Sequence, residues 1–215
     1  MNSGKVLDFK LFFDLIRNPR TAIEETDFDF SEGMKFALSF LILLLIIKLG
    51  FGIAFSAVEL KPLIPVLFFT LLYSAVEIVL SFNGFIIIGF TSAYIAKHYF
   101  KSKYNYSKSI GMAALSAAPI VFFSAINQFV YLFGSIAGTD LLLFYSGISF
   151  FTVIFSIIWT FFTLSKAAAK ANKIYLENGF ISAFIGLFVA AIFNLAIILI
   201  LSQGYTNLGA ALKLI

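Results

Sequence analysis

The chain has 215 residues, of which 61% are hydrophobic and only 12% are charged. This composition excludes an ordinary soluble domain, because charged residues make up about a quarter of such domains. The sequence contains no cysteine and one histidine, which excludes a disulfide framework and any cysteine or histidine metal cluster. The formal net charge of +4 does not indicate a nucleic-acid-binding protein, because the basic residues are dispersed among the joints between apolar segments.

The N-terminal segment, residues 1–35, is predicted to be a cytoplasmic region that contains an amphipathic helix. Val6, Phe9, Phe13 and Ile16 recur at helical spacing and form its apolar face. We expect this helix to lie on the membrane surface, as basic amphipathic helices do. The alternative is that it packs against the inner mouth of a helix bundle.

A second short helix is predicted to follow the first. Asn18 reads as its N-cap and Pro19 as its first residue, and we expect it to end near Glu25. Three acidic residues come next: Asp27, Asp29 and Glu32. We expect them to form a solvated linker, since charge runs are usually solvated, and the alternative is a docking patch for a basic partner.

Five apolar runs make up most of the remaining sequence. They cover residues 36–58, 63–96, 110–133, 141–164 and 180–201. Each run reaches the roughly 20 residues that a helix needs to cross a bilayer core, and none has the polar face of a soluble helix. We therefore predict an all-α bundle of five transmembrane helices, in which residues 36–215 form one membrane domain.

The second run is longer than one perpendicular crossing requires. Its 34 residues would form a helix of about 51 Å, against a bilayer core of about 30 Å. A turn at Gly84 would divide it into two spans, but would also place two basic clusters on opposite faces of the membrane. We expect one long helix, tilted or broken, with Pro62 and Pro65 near its first turn and with Gly84 and Gly89 permitting a bend.

The basic residues lie at alternate joints, which predicts the orientation in the membrane. Twelve of the fifteen Lys and Arg residues lie in the N-terminal segment, between runs two and three, or between runs four and five. Positive residues mark the cytoplasmic side, so we predict a multi-pass protein of the cell membrane with its N-terminus inside and its C-terminus outside. The candidate contacts for anionic headgroups or a partner are Lys97, Lys101, Lys103, Lys108, Lys166, Lys170 and Lys173. The last three form a basic stripe if the fourth helix continues past the membrane.

Ionisable residues inside a span are costly and are candidate functional groups. Lys48 and Glu77 both fall at mid-depth in neighbouring runs, so an ion pair between them is the economical arrangement. We expect the pair to lock two helices together, and the alternative is a polar pathway for an ion or small solute. Asn127 and Asn194 are expected to form hydrogen bonds between helices, and Pro119 is expected to kink the third helix.

The sequence contains none of the common catalytic motifs. We find no P-loop, no dinucleotide fingerprint, no HExxH pattern and no paired carboxylates within a run. We therefore expect a protein that is not an enzyme and that needs no cofactor or metal.

Short motifs along the chain resemble one known family. Asn18, Pro19 and Arg20 form an Asn-Pro-Arg lead-in before the first run, Pro119 ends a stretch of small residues, and Trp159 lies in the fourth run. The long second run ends in a basic, aromatic joint. Together these features resemble compact prokaryotic members of the Yip family, membrane proteins whose eukaryotic members are named for interacting with Ypt/Rab GTPases.

The resemblance covers about residues 11–202 and implies a five-span Yip-like domain with a cytoplasmic N-terminus. It implies a scaffold or adaptor in membrane organisation or a trafficking-like process. The chain lacks the long N-terminal extension and the Asp-Leu-Tyr-Gly-Pro-type motif of eukaryotic members, so Rab binding is not implied. The alternative function is a small transporter or permease subunit with Lys48, Glu77 and Asn194 along a polar path. The bilayer and its anionic headgroups are the expected partners, while protein partners at the cytoplasmic face and a homo-oligomer stay open.

Overall fold

The computed structural model describes residues 8–59, 62–137 and 142–212, and the described residues are helical apart from short connections. Their α-helices are α1 (Phe9–Arg17), α2 (Pro19–Glu25), α3 (Phe30–Glu59), α4 (Leu63–His98), α5 (Tyr106–Ala113), α6 (Ala117–Ala137), α7 (Leu142–Asn172) and α8 (Leu176–Leu212). A 3-10 turn, Ala114–Ser116, joins α5 to α6, so that the two form one segment. Five segments are long and apolar enough to cross a membrane. The predicted all-α fold is confirmed, as are five helical segments of spanning length among the described residues. Val6 and Leu141, the predicted start of the fourth run, lie outside the described residues.

The five long segments pack in a ring of order α3, α4, α8, α7, α6, and α6 closes the ring on α3. The segment of α5 and α6 is the most enclosed. Of an 18-residue apolar stretch in each segment, 67% is buried here, against 6% in α4. Small residues permit this close packing, as Ala113, Ala114 and Ala117 are almost completely buried. The other long helices expose many Phe, Ile and Leu side chains around the bundle, as lipid contact requires.

α3 begins six residues before the predicted run because an N-terminal capping box starts it. The backbone N–H of Glu32 donates to Asp29 Oδ1 at 2.9 Å, and the backbone N–H of Asp29 donates to Glu32 Oε2 at 3.2 Å. These two bonds satisfy amides that the first helical turn leaves without partners. Asp29 and Glu32 thus cap and begin a helix, rather than forming a linker, while both stay exposed, and a docking patch for a basic partner stays a prediction.

The second run is a single uninterrupted helix, α4, over its whole length of 36 residues. Its glycines provide close contacts with neighbouring helices. A Cβ atom built on Gly89 would lie 2.4 Å from the Cα atom of Ile110, and one built on Gly84 would lie 3.8 Å from Asn194 Nδ2. The absence of a side chain at Gly89 is thus what brings α5 against α4.

Pro119 affects the helix geometry about one turn before its own position. Proline has no backbone N–H, so residue 119 cannot donate to the Leu115 carbonyl, which accepts from the Ala117 N–H instead. The chain tightens into the 3-10 turn at Ala114–Ser116, where Ser116 Oγ donates to the Ala113 carbonyl at 2.7 Å. The third span therefore changes from α-helical to 3-10 geometry just before Pro119, and the predicted kink stays a prediction.

α1 and α2 pack against the bundle through one apolar face. Leu15 and Ile23 are buried, and the Phe12 ring stacks on the Phe40 ring of α3 with centroids 4.4 Å apart. Trp159 Nε1 on α7 donates to the Leu15 carbonyl at 3.3 Å. α1 therefore packs on the bundle, as the alternative predicted, and its expected position at the membrane surface stays a prediction.

The buried face of α1 is not the one that the spacing predicted. Phe9 and Phe13, assigned to the apolar face, remain 47% and 56% exposed, whereas Phe12 and Leu15 are buried. Lys10 and Arg17 are also exposed. α1 therefore uses one face for the bundle and leaves aromatic and basic side chains accessible on another.

Candidate functional site

Lys48 of α3 and Glu77 of α4 form an ion pair inside the apolar spans. Lys48 Nζ donates to Glu77 Oε2, and the side chains are 8% and 27% exposed, respectively. The ammonium group also lies 5.3 Å from the centroid of the Tyr73 ring, within cation–π distance. The pairing that the sequence predicted is therefore present, and a ring from the same helix as Glu77 supports it.

Each partner of this pair lines a cavity. The first, which we call the Lys48 cavity, has a volume of about 550 Å³ and lies between α3, α4 and α6. The second, the Glu77 cavity, has a volume of about 570 Å³ and lies between α4, α6, α7 and α8. Tyr73 lines both cavities. The two cavities thus share Tyr73 of α4 as a lining residue.

The polar groups of the Lys48 cavity include one that lacks a partner. Ser74 is 2% exposed, and its hydroxyl has no hydrogen-bond partner among the described residues. Gln128 of α6 also lines this cavity, while Thr70 Oγ1 donates to the Val66 carbonyl at 2.8 Å. Sequence reasoning missed Ser74, since a single serine in an apolar run carries no pattern.

The Glu77 cavity has its polar groups on α4, α7 and α8. Asn194 Nδ2 donates to the Leu80 carbonyl at 3.2 Å, and Asn194 Oδ1 accepts from Asn83 Nδ2 at 2.8 Å. The expected interhelical bonding of Asn194 is confirmed. The Thr160 hydroxyl is buried without a hydrogen-bond partner among the described residues and also lines this cavity.

Asn127 joins two helices, as predicted. Its Oδ1 accepts from Ser149 Oγ at 2.6 Å, which links α6 to α7. Asn127 does not line either cavity. Of the amides assigned to a polar path or to packing, only Asn194 thus lies beside the ion-pair cavities.

Lys170 caps the C-terminal end of α2 from α7. Its Nζ donates to the carbonyl oxygens of Ile23 at 2.8 Å, of Glu24 at 2.6 Å and of Thr26. A lysine ammonium has three N–H donors, and all three are used here. The prediction that Lys170 contacts lipid headgroups is therefore wrong, because its charge stabilises the carbonyl end of a helix.

The predicted basic stripe on the fourth run is also interrupted at its end. α7 ends at Asn172, and Lys173 adopts a positive φ of 52°. The backbone N–H of Ile174 donates to the Ala169 carbonyl at 3.0 Å, which closes the helix in a Schellman-type arrangement. Lys173 thus lies past the helix end, whereas Lys166 stays on the helix with its Nζ 5.9 Å from the centroid of the Phe162 ring.

The joint between α4 and α5 is fixed by contacts with other elements. Lys108 Nζ lies 2.5 Å from Asp27 Oδ1, and Ser102 Oγ donates to the Asn172 carbonyl at 2.6 Å. Asn172 Nδ2 in turn donates to Ser109 Oγ at 3.0 Å. The α4–α5 joint, the α7–α8 joint and α2 therefore meet at one end of the bundle, which we call the basic end.

Four of the predicted lysines remain exposed at the basic end: Lys97, Lys101, Lys103 and Lys173. Lys97 Nζ lies 4.7 Å from the centroid of the Tyr104 ring, which orients it towards the joint. Lys101 adopts a positive φ of 50° just after α4 ends. The structure thus divides the seven predicted basic contacts into internal partners, notably Lys108 and Lys170, and exposed cations.

The residues that carry the family resemblance have structural roles. Pro19 is buried at the start of α2, and Asn18 precedes it without a side-chain cap bond. Arg20 forms an exposed pair with Glu24 at 3.2 Å, four residues along the same helix. Of these motif residues, Trp159 bonds to α1 and Pro19 is buried, whereas Asn18 and Arg20 make no side-chain bond to another helix among the described residues.

Comparison with protein-family models, with curated proteins and with solved structures found no significant match to this chain. The resemblance to the Yip family therefore stays a prediction from the sequence. Within the described residues, no group of three or more His, Asp or Glu side chains is arranged to hold a metal ion.

Proposed function

We propose that this chain is a non-enzymatic scaffold or adaptor of the cell membrane, which organises the membrane through its basic end on the cytoplasmic side. The observation that carries the proposal is the fixed array of four exposed lysines on joints that internal hydrogen bonds hold in place. Each basic residue near an anionic surface is worth about 1 kcal/mol of attraction. The resemblance to the Yip family supports the same role.

The N-terminal helices support this proposal by adding to the same end of the bundle. α1 leaves Phe9, Phe13, Lys10 and Arg17 accessible while its other face is anchored on the bundle. An anchored helix with exposed aromatic and basic groups suits an interfacial membrane contact or a partner with an acidic surface. Removing α1 would also uncover Phe40, so point substitutions test the proposal better than a deletion.

The test replaces the four exposed lysines, Lys97, Lys101, Lys103 and Lys173, by glutamine. The protein is reconstituted in vesicles of phosphatidylcholine and phosphatidylglycerol, and the lipids extracted with it in small discs are quantified. We expect the native chain to enrich phosphatidylglycerol and the glutamine variant to lose the enrichment. Arginine at the same four positions keeps the charge and is expected to keep the enrichment. Equal enrichment in the glutamine and arginine variants would contradict the headgroup role.

A second candidate function is a small transporter or permease subunit, favoured by the two cavities that Lys48 and Glu77 line. Proteoliposomes loaded with a pH-sensitive dye measure proton flux, and proteoliposomes loaded with a potassium-sensitive dye measure potassium flux. We expect flux in the native chain and its loss, with folding retained, when Lys48→Met is combined with Glu77→Gln. Flux no greater than in empty vesicles would rule out this candidate for both ions.

A further inference from the structure

The Lys48 cavity combines an apolar wall with a polar end. Phe51, Phe55 and Phe69 line it from α3 and α4, and Lys48, Ser74 and Gln128 line it as well. Its volume of about 550 Å³ falls within the range of about 300–1,000 Å³ that holds one small-molecule ligand. An apolar wall with a few polar groups suits an amphipathic ligand.

The polar end of this cavity has hydrogen-bond donors to spare. An ammonium group has three N–H donors, and the one hydrogen bond of Lys48 within the described residues goes to Glu77. The Ser74 hydroxyl is buried without a hydrogen-bond partner among the described residues, although leaving such a group unpaired is costly. A ligand oxygen at this position would accept hydrogen bonds from both side chains.

The charge of the site restricts the headgroup of the ligand. The Lys48–Glu77 pair is neutral as a whole, and a further charge within the apolar spans would be costly. A carboxylic acid enters as a neutral molecule. The total charge then stays zero whether the proton remains on the ligand or moves to the Glu77 carboxylate, leaving the ligand carboxylate on Lys48. A permanently charged headgroup offers no such balance.

We infer that the Lys48 cavity binds one long-chain carboxylic acid, with the acid group at Lys48 and Ser74 and the chain along the phenylalanine wall. A phospholipid fits this site less well, because it carries two chains and a permanently charged phosphate. The inference is independent of the scaffold role, because none of the lysines of the basic end lines the Lys48 cavity. It also holds without transport, because it is tested by binding alone.

The test uses the full chain in phosphatidylcholine vesicles and a palmitic acid probe that carries a photoreactive diazirine. Labelled peptides are identified by mass spectrometry, and we expect labels on the α3 and α4 residues of the Lys48 cavity. Unlabelled palmitic acid should compete with the probe, whereas hexadecylamine, hexadecanesulfonate and phosphatidylglycerol should not. Equal competition by these three would overturn the inference.

Substitutions of glycine provide a matched control. A Cβ atom on Gly52, which lines the cavity, would meet its nearest neighbour at 3.4 Å, an ordinary contact, and Gly52→Leu is designed to fill part of the cavity. A Cβ atom on Gly50 has nothing within 4 Å. We expect Gly52→Leu to abolish specific labelling and Gly50→Leu to leave it unchanged. Undiminished labelling in Gly52→Leu would overturn the inference.

Two serines on α4 test the role of the headgroup contact. Ser74→Ala removes one donor from the Lys48 cavity, and a hydrogen bond worth about 1 kcal/mol corresponds to about fivefold weaker binding. Ser81→Ala changes the same side chain in the Glu77 cavity and is expected to leave binding unchanged. Equal effects of the two substitutions would place the headgroup away from Ser74 and contradict the assignment.

Discussion

At the scale of single residues, the charge of Lys48 or of Glu77 would destabilise the apolar spans if it were unpaired, and the ion pair reduces this cost. Lys48→Met alone would leave the Glu77 carboxylate without its cation inside the apolar spans, and removing one partner of a buried pair costs about 3–5 kcal/mol. Combining Lys48→Met with Glu77→Gln removes both charges and keeps the approximate volumes. We expect the single variant to lose stability and the double variant to recover most of it, measured as unfolding free energy by denaturing-detergent titration. Equal losses in both variants would show that neutralising Glu77 recovers no stability, which would contradict the expected cost of leaving that carboxylate unpaired.

Gly111 is the position where a single methyl group should do the most damage. A Cβ atom there would lie 1.9 Å from the Asp29 carbonyl oxygen, a backbone atom that cannot rotate away. Overpacking of this kind costs about 1–3 kcal/mol or more. We expect Gly111→Ala to lower the thermal unfolding temperature in detergent. Gly147→Ala, whose Cβ has nothing within 4 Å, is the control and is expected to leave the temperature unchanged or raise it.

At the scale of elements, α2 depends on a residue far away in the chain. The Lys170 ammonium supplies the carbonyl end of α2 with three hydrogen bonds. Bonds that involve a charged group are worth about 1.5–3 kcal/mol each, so Lys170→Met should speed amide hydrogen exchange over residues 19–26 by about tenfold or more. Lys173→Met, an exposed lysine at the same end, is expected to leave exchange there unchanged. Slow exchange retained in Lys170→Met would show that the apolar contacts of Ile23 suffice.

Hydropathy and charge predicted the long elements, because a bilayer demands long apolar helices. The Lys48–Glu77 pair was predictable for a related reason: two isolated charges at similar depth in consecutive helices have few other partners. The partner of Lys170 was not predictable, since its acceptors lie about 147 residues away and are backbone atoms. The buried face of α1 was misassigned because Phe9 and Phe13 fit helical spacing as well as Phe12 and Leu15 do. The capping box at Asp29 carried a readable signature, an acid three residues before a glutamate at the start of an apolar run.

At the scale of the whole molecule, the five long segments run between two opposite ends of the bundle. The basic end carries the N-terminal helices, the α4–α5 joint and the α7–α8 joint, while Pro62 at the start of α4 lies at the other end. The proposed scaffold role requires the basic end to face the cytoplasm, where anionic lipid and acidic partners are available. The scaffold role therefore depends on which side of the membrane the basic end faces.

Single-cysteine accessibility in intact cells tests this orientation directly, because the native chain contains no cysteine. Lys103→Cys marks the basic end and Pro62→Cys marks the opposite end, and both positions are exposed. A membrane-impermeant maleimide is applied before and after lysis. If the basic end faces the cytoplasm, Pro62→Cys is labelled in intact cells and Lys103→Cys is labelled only after lysis. The reverse pattern, or labelling of both positions in intact cells, would contradict this orientation.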